Sequence, residues 1–480
     1  MAPGRRPFVP RLPPVTLWPS GARWDRRTAE QLSTEQDAAL RSQLEHAVGP
    51  SSPFWSARLA ELGPTPASLG SAAALAGLPA VGERDLCPDG DPLGAAGLVL
   101  HQGEAGYATH ASGPALRRAL LRRIVAPTSY RAVVEADTRP TSYVFAGLAL
   151  RYPVASTRAD LDLVARAGAR LWQVLGLTSA DVVVSALPSG STALVQGLWL
   201  AALSSGSPLL APGDDPVQVL DVLSLVAATA LVVPPAGGGD LLRQLADAGA
   251  PLSGLRTVLV GGAPDDRERD DLLDAVDGLG GRDVVVLAVH VPDGHRLLWG
   301  ECRESAGRTG LHSYPDLELL QTVDPGTGDP AGGAPAELVL TQLGLRGSAL
   351  LRWRTGDAVT AVDSRPCPAC GRTVPRVTGT RRGALVPTVV LDGAARPVDL
   401  RAVAVVLSTR ADVADWSVER GAGGAGLLVR VRVAAGGPDD LVSAVAGALR
   451  SRAGVPGAQV VLVDRLAGGR GLSPDLGQAR

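Results

Sequence analysis

Short apolar runs alternate with amphipathic stretches through the middle of the chain. Residues 160–175 place apolar side chains at helical spacing, Val182-Val183-Val184 is an apolar run of strand length, and 191–203 is an apolar helix. The same alternation predicts strands at 208–211, 230–233, 255–260 and 284–287, with helices at 216–227, 240–248 and 265–276 between them. Strands apolar on both faces and linked by helices imply a mostly parallel, covered sheet, and so an α/β fold. Past residue 310 the pattern changes. Runs at 317–323, 336–341 and 349–354 read as antiparallel strands, separated by turns such as Asp324-Pro325-Gly326-Thr327-Gly328. Towards the N-terminus, 27–62 is helical, with Leu32, Ala39, Leu40 and Leu44 at helical spacing.

Residues 1–26 are rich in Pro and Arg and read as a poorly ordered lead-in. A hinge is expected at 379–383. Beyond it, strands at 416–419, 427–433 and 459–463 with helices at 400–407 and 438–453 predict a small α+β domain. The expected division is therefore 1–26, 27–380 and 381–480. A chain of 480 residues is long enough for several cores.

Net charge is −2 and aromatics make up 3% of residues, which argues against a nucleic-acid partner. Residues 182–213 carry no charge, but Pro188, Gly190 and Pro208 interrupt them, so no membrane span is expected. Arg5-Arg6 is followed by prolines instead of an apolar stretch, and the cytoplasm is the expected location. One count changes the chemistry. No lysine is present, so all 46 basic side chains are arginine, and any step needing a lysine amine is excluded.

Cys367-Pro368-Ala369-Cys370-Gly371 is a tight Cys-x-x-Cys turn. With Cys302 and His312 upstream it supplies three thiolates and one imidazole, a set suited to structural zinc with no open position for water. The alternatives are unrelated thiols or a redox pair. Redox motifs usually open a helix, and this pair sits in a turn. Cys87 stands outside the set as a small buried hydrophobe. There is no Gly-x-Ser-x-Gly hydrolase elbow. His290 and His295 read as hydrogen-bonded groups in a cleft wall.

Several segments resemble the phenylacetate–coenzyme A ligase branch of the adenylate-forming superfamily over residues 27–465. They are Ser52-Pro53-Phe54-Trp55, Leu78-Pro79, Gly261-Gly262-Ala263-Pro264, Gly300-Glu301-Cys302 with Gly310-Leu311-His312, Ala336 through Thr341, Leu351 through Asp357, and Cys367 through Arg372. The resemblance implies a large N-terminal α/β domain carrying a zinc segment, followed by a small α+β domain. It implies a carboxylate and coenzyme A as partners, activation by ATP and magnesium through an acyl-adenylate, and by analogy a homodimer.

It also implies roles for residues. Asp357, within Arg354-Thr355-Gly356-Asp357, matches the ribose-binding aspartate, and Arg354 belongs to the same nucleotide motif. Ser112 and Gly113 are what remains of the phosphate loop, which here runs into Pro114. The magnesium-binding acid falls at Pro292, with Asp293 one residue away as its substitute. Arg470, in Gly469-Arg470-Gly471, lies near the place of the C-terminal catalytic lysine. Ala263 replaces a glutamate. Two readings follow: a divergent acid–thiol ligase with impaired or altered catalysis, or a degenerate homologue that binds a ligand or serves as a scaffold.

Overall fold

The computed structural model describes mainly residues 24–48, 52–86, 113–147, 152–188, 192–235, 237–279, 284–325, 327–333, 336–380, 412–421, 426–434, 440–452 and 457–466, with shorter pieces between and after them. Among the described residues the main sheet has nine strands. Its parallel part runs Leu209–Leu210, Val183–Ser185, Ala230–Val233, Thr257–Gly261, Val285–His290. Trp299–Glu301, Leu311–His312, Arg376–Thr378 and Ala361–Asp363 continue it antiparallel.

The apolar runs are explained by covering on both faces. Val183, Ala230, Val232, Leu259, Leu287 and Val289 enter one core, with Leu171, Trp172 and Leu198 of the helices on that side. Val184, Leu231, Val233, Val258, Val260 and Val286 alternate with them and enter the opposite core, with Val219, Leu223 and Leu272. Helix Arg158–Leu175 begins at a capping box formed by Thr157 and Asp160. It crosses helix Ala193–Ser205 so closely at Gly168 that a Cβ there would lie 2.6 Å from Ala201.

The second β region is antiparallel as expected, with strands Glu318–Val323, Ala336–Gln342 and Trp353–Val359. The strand expected at 349–354 starts only at Trp353. Ala349, Leu350 and Leu351 are core residues of an irregular segment. Arg352 turns it with φ +44°, donating its buried guanidinium to the carbonyls of Leu75 and Ala76. Burial alone had made this run look like a strand. The hairpin Pro140–Ala146 with Tyr152–Thr157 was not expected and shares this core, as do Leu40, Leu44, Trp55 and Leu59 of the first two helices, Ala29–Val48 and Pro53–Leu62.

The C-terminal part is a small α+β unit, as expected. Strands Gln459–Leu462, Leu427–Val433, Val413–Arg420 and Gly471–Leu472 form one sheet. Its core holds Trp416, Val418, Val429 and Val431 with Leu441, Val445 and Leu449 of helix Leu441–Arg452. Residues 381–383 of the expected hinge, most of the expected helix 400–407, and Cys87, Ser112 and Arg470 lie outside the described residues. No helix among the described residues is long and apolar enough to cross a membrane.

Candidate metal centre and the site around Asp357

The antiparallel strands of the main sheet bring two of the four predicted metal ligands together. Cys302 follows strand Trp299–Glu301, and His312 sits opposite Gly300 on the neighbouring strand. Cys367 and Cys370 come from a turn closed by Gly371 N–H to the Cys367 carbonyl and Cys367 N–H to the Arg372 carbonyl, both 2.8 Å. Gly371 takes φ +67°, a conformation glycine adopts without steric cost.

One ligand atom from each of Cys302, His312, Cys367 and Cys370 lies within 4.8 Å of the others. The sulfurs of Cys302 and Cys367 are 3.9 Å apart, and Cys370 Sγ is 3.7 Å from His312 Nε2. Ligands arranged tetrahedrally around zinc stand about 3.8 Å apart for sulfur pairs and about 3.5 Å for sulfur and nitrogen. The set therefore fits a four-coordinate ion. Its neighbour Cys370 lowers the Cys302 thiol below its ordinary value, against the opposing effect of burial. The thiolate is the form of cysteine that binds metal.

The second cluster lies where strand Trp353–Val359 approaches the end of strand Val285–His290. Asp357 is fully buried, and its Oδ2 is 2.8 Å from His290 Nε2. Arg354 donates to Glu337 Oε2 at 2.7 Å and to the Pro325 carbonyl at 2.7 Å. The N–H of Gly356 donates to the other Glu337 oxygen at 3.3 Å. Burial raises Glu337, with the Arg354 hydrogen bond opposing it.

Asp293 accepts the Gly147 N–H on both oxygens at 3.1 Å and the Tyr152 hydroxyl at 3.0 Å. Its carbonyl accepts from Trp353 Nε1 at 3.1 Å. Gly294 follows at φ +74°, and a Cβ there would lie 2.6 Å from the Tyr152 hydroxyl oxygen. Arg354 and Asp357 belong to strand Trp353–Val359 and Asp293 touches its first residue, each of the three engaged by protein partners. Gly113 is the exposed first residue of helix Gly113–Val125, with Pro114 in its first turn.

The two histidines are hydrogen-bonded, as expected, and both are buried. His295 Nε2 is 2.6 Å from Glu318 Oε2, and the other Glu318 oxygen accepts from Trp299 Nε1 at 2.9 Å and Tyr314 N–H at 2.7 Å. Glu301 holds the strand register from the next position, accepting Ala288 N–H at 2.7 Å and the Arg269 guanidinium at 2.7 Å. Burial raises its carboxyl, opposed by Arg269. Sequence reasoning missed Tyr152 and Gly147. The signal available was weak: a buried tyrosine opening an unrecognised hairpin strand, whose partner lies 141 positions away.

No protein-family model matches the sequence, and no curated protein matches it. Solved structures do. A 2-hydroxyisobutyryl-CoA ligase in complex with 2-HIB-AMP and CoA in the thioesterification state superposes with a TM-score of 0.61 at 16% identity, covering 95% of this chain and 93% of that chain. The same ligase in the postadenylation state with 2-HIB-AMP gives 0.61 at 16% identity over 96% and 93%. Its open conformation gives 0.58 at 17% identity over 95% and 96%. At this identity the likeness concerns architecture, and it extends over nearly the full length of both chains.

Proposed function

We propose that this protein, which has the adenylate-forming ligase fold, is an acyl-coenzyme A ligase homologue whose ATP-dependent activation of carboxylates is impaired, and that it acts as a binder of nucleotide or acyl ligands. The observation that carries the reading is the state of Asp357. A ribose hydroxyl needs a carboxylate oxygen to accept its proton. The Asp357 carboxylate is inaccessible to solvent, with one oxygen on the His290 imidazole. Uncovering it for a ribose requires breaking a buried polar pair and leaving His290 without its partner.

The charges around it support the same reading. Transfer at the α-phosphate builds up negative charge, which a positioned cation must meet. Losing one such group costs about 2.7–4 kcal/mol of transition-state stabilisation, a factor of roughly 100–1000 in rate. A lysine cannot supply it, because the chain has none. Arg354 is occupied by Glu337, and Asp293 is engaged by Gly147 and Tyr152 instead of presenting an open carboxylate to magnesium. Of the expected site residues, Ser112 and Arg470 lie outside the described residues, and each could contribute a donor or a charge. Carboxylates and coenzyme A are the ligand classes to test, since those are what the structurally similar ligase binds as acyl-adenylate and CoA.

Cys302, His312, Cys367 and Cys370 hold one zinc ion in this reading. All four positions come from protein, so the ion fixes the turn against the sheet and leaves no site for a reacting water. The functional reading is tested by ATP–pyrophosphate exchange with magnesium and a panel of aryl and fatty acids. Absence of exchange together with measurable ligand binding by calorimetry supports it. Robust exchange that disappears in Asp357→Ala establishes instead an active, divergent ligase.

A further inference from the structure

The end of the expected lead-in is built onto the metal turn. Trp24 is buried in the same core as Cys302 and Cys367, its ring tilted against that of Tyr314 at 5.7 Å, with the Arg170 guanidinium 5.0 Å from it. Arg26 sets its two terminal nitrogens on the turn itself, at 2.5 Å from the Gly371 carbonyl and 3.1 Å from the Cys370 carbonyl. The backbone of Asp25 accepts the Thr373 N–H at 2.8 Å, and the Thr373 hydroxyl donates to the carbonyls of Asp25 and Arg27. Asp25 also pairs with Arg372 at 3.1 Å, and Arg372 is two residues from Cys370.

Gly371 has positive φ, and a Cβ there would lie 2.8 Å from Arg26 Nη1 and displace that guanidinium from the turn. The carbonyls that receive Arg26 therefore point correctly only while the Cys-x-x-Cys turn keeps its shape. Three thiols and an imidazole within 4.8 Å hold that shape when a metal ties them, and lose the tie when it leaves.

We infer that Trp24–Arg27 is a metal-dependent strap: the loaded Cys-x-x-Cys turn presents the Cys370 and Gly371 carbonyls and the Thr373 amide to the chain just before helix Ala29–Val48, and loss of the metal releases that segment. The inference rests on the zinc reading. Its consequence reaches past the turn, because the helix it anchors packs Leu40 and Leu44 into the core beside Trp353. The strap thus joins the metal centre to the first helix through hydrogen bonds instead of through the sheet.

Limited trypsin digestion tests this directly. The protease cuts after Arg26 and Arg27 only when the segment opens, so the rate follows the open population. Zinc content is measured first. Zinc-loaded full-length protein resists cleavage there. Removing zinc with a chelator speeds these cuts about ten-fold or more, cuts in the C-terminal unit keep their rate, and zinc re-addition restores resistance. Arg26→Ala keeps its zinc but is cut after Arg27 faster than the parent even when loaded, which decides the matter should chelation unfold the whole chain. Unchanged cleavage on zinc loss, or Arg26→Ala cut at the parental rate, overturns the strap and leaves the zinc reading intact. A protein that takes up no zinc overturns both.

Discussion

Asp160 shows how much a single carboxylate can organise. It caps its own helix at Thr157, accepts the N–H groups of Arg346 and Gly347 at 2.7 Å each, and lies 3.3 Å from the buried Arg296 guanidinium. Asp160→Ala leaves that cation uncompensated in the interior and should cost about 3–5 kcal/mol, read as a drop in the denaturant midpoint. The four proposed zinc ligands make a different prediction. Cys367→Ser should reduce bound zinc from about one equivalent to less than half, measured by metal analysis, and lower thermal stability. Asp363 supplies a pH dependence. It is lowered to about 2, first by the Arg365 side chain and further by Arg376. A carboxyl lowered in the folded state stabilises above its unfolded value, and that contribution is lost as pH falls through the folded one. Asp363→Asn should therefore be less stable than the parent at neutral pH, by about 1 kcal/mol or less because Arg365 is exposed. The difference should close between about pH 4 and pH 2 in thermal melts.

At the scale of elements, close helix packing is the sharpest handle. Gly168→Ala improves helix propensity by about 1 kcal/mol yet places its methyl 2.6 Å from Ala201, so the helix pair must separate. A net loss of about 1–3 kcal/mol is expected by chemical denaturation. Gly447→Ala, in a helix where nothing lies within 4 Å of the new Cβ, should instead gain about 0.4–1 kcal/mol. The parallel strands were legible in the sequence because their two-sided burial leaves uninterrupted runs such as Val182-Val183-Val184. The Cys and His set was legible because its donor types and spacing are specific, and the four side chains do converge. The start of strand Trp353–Val359 was not, because Ala349 to Leu351 are apolar for packing while Arg352 turns the chain. The partners of Asp357 and Asp293 were hidden for another reason: His290 and Tyr152 meet them across 67 and 141 positions, and no local pattern encodes such pairs. The strap at Asp25 and Arg26 was hidden in the same way, 345 positions from Gly371.

Over the whole molecule, the ligase architecture and the groups that would run ligase chemistry have separate fates. The sheet, the antiparallel segment and the small C-terminal unit are in place, and the superposition spans 95% of the chain. Asp357, which the sequence resemblance matches to a ribose-binding aspartate, is buried against His290, and the chain has no lysine. If His290 is what closes the site, His290→Ala should bind ATP more tightly than the parent by calorimetry, and equal affinity would place the obstruction elsewhere. The account's central claim is the impairment of activation itself. Its most direct test is ATP–pyrophosphate exchange on the purified full chain with magnesium and varied carboxylates. The account predicts exchange no faster than the enzyme-free control, and robust exchange abolished by Asp357→Ala would contradict it.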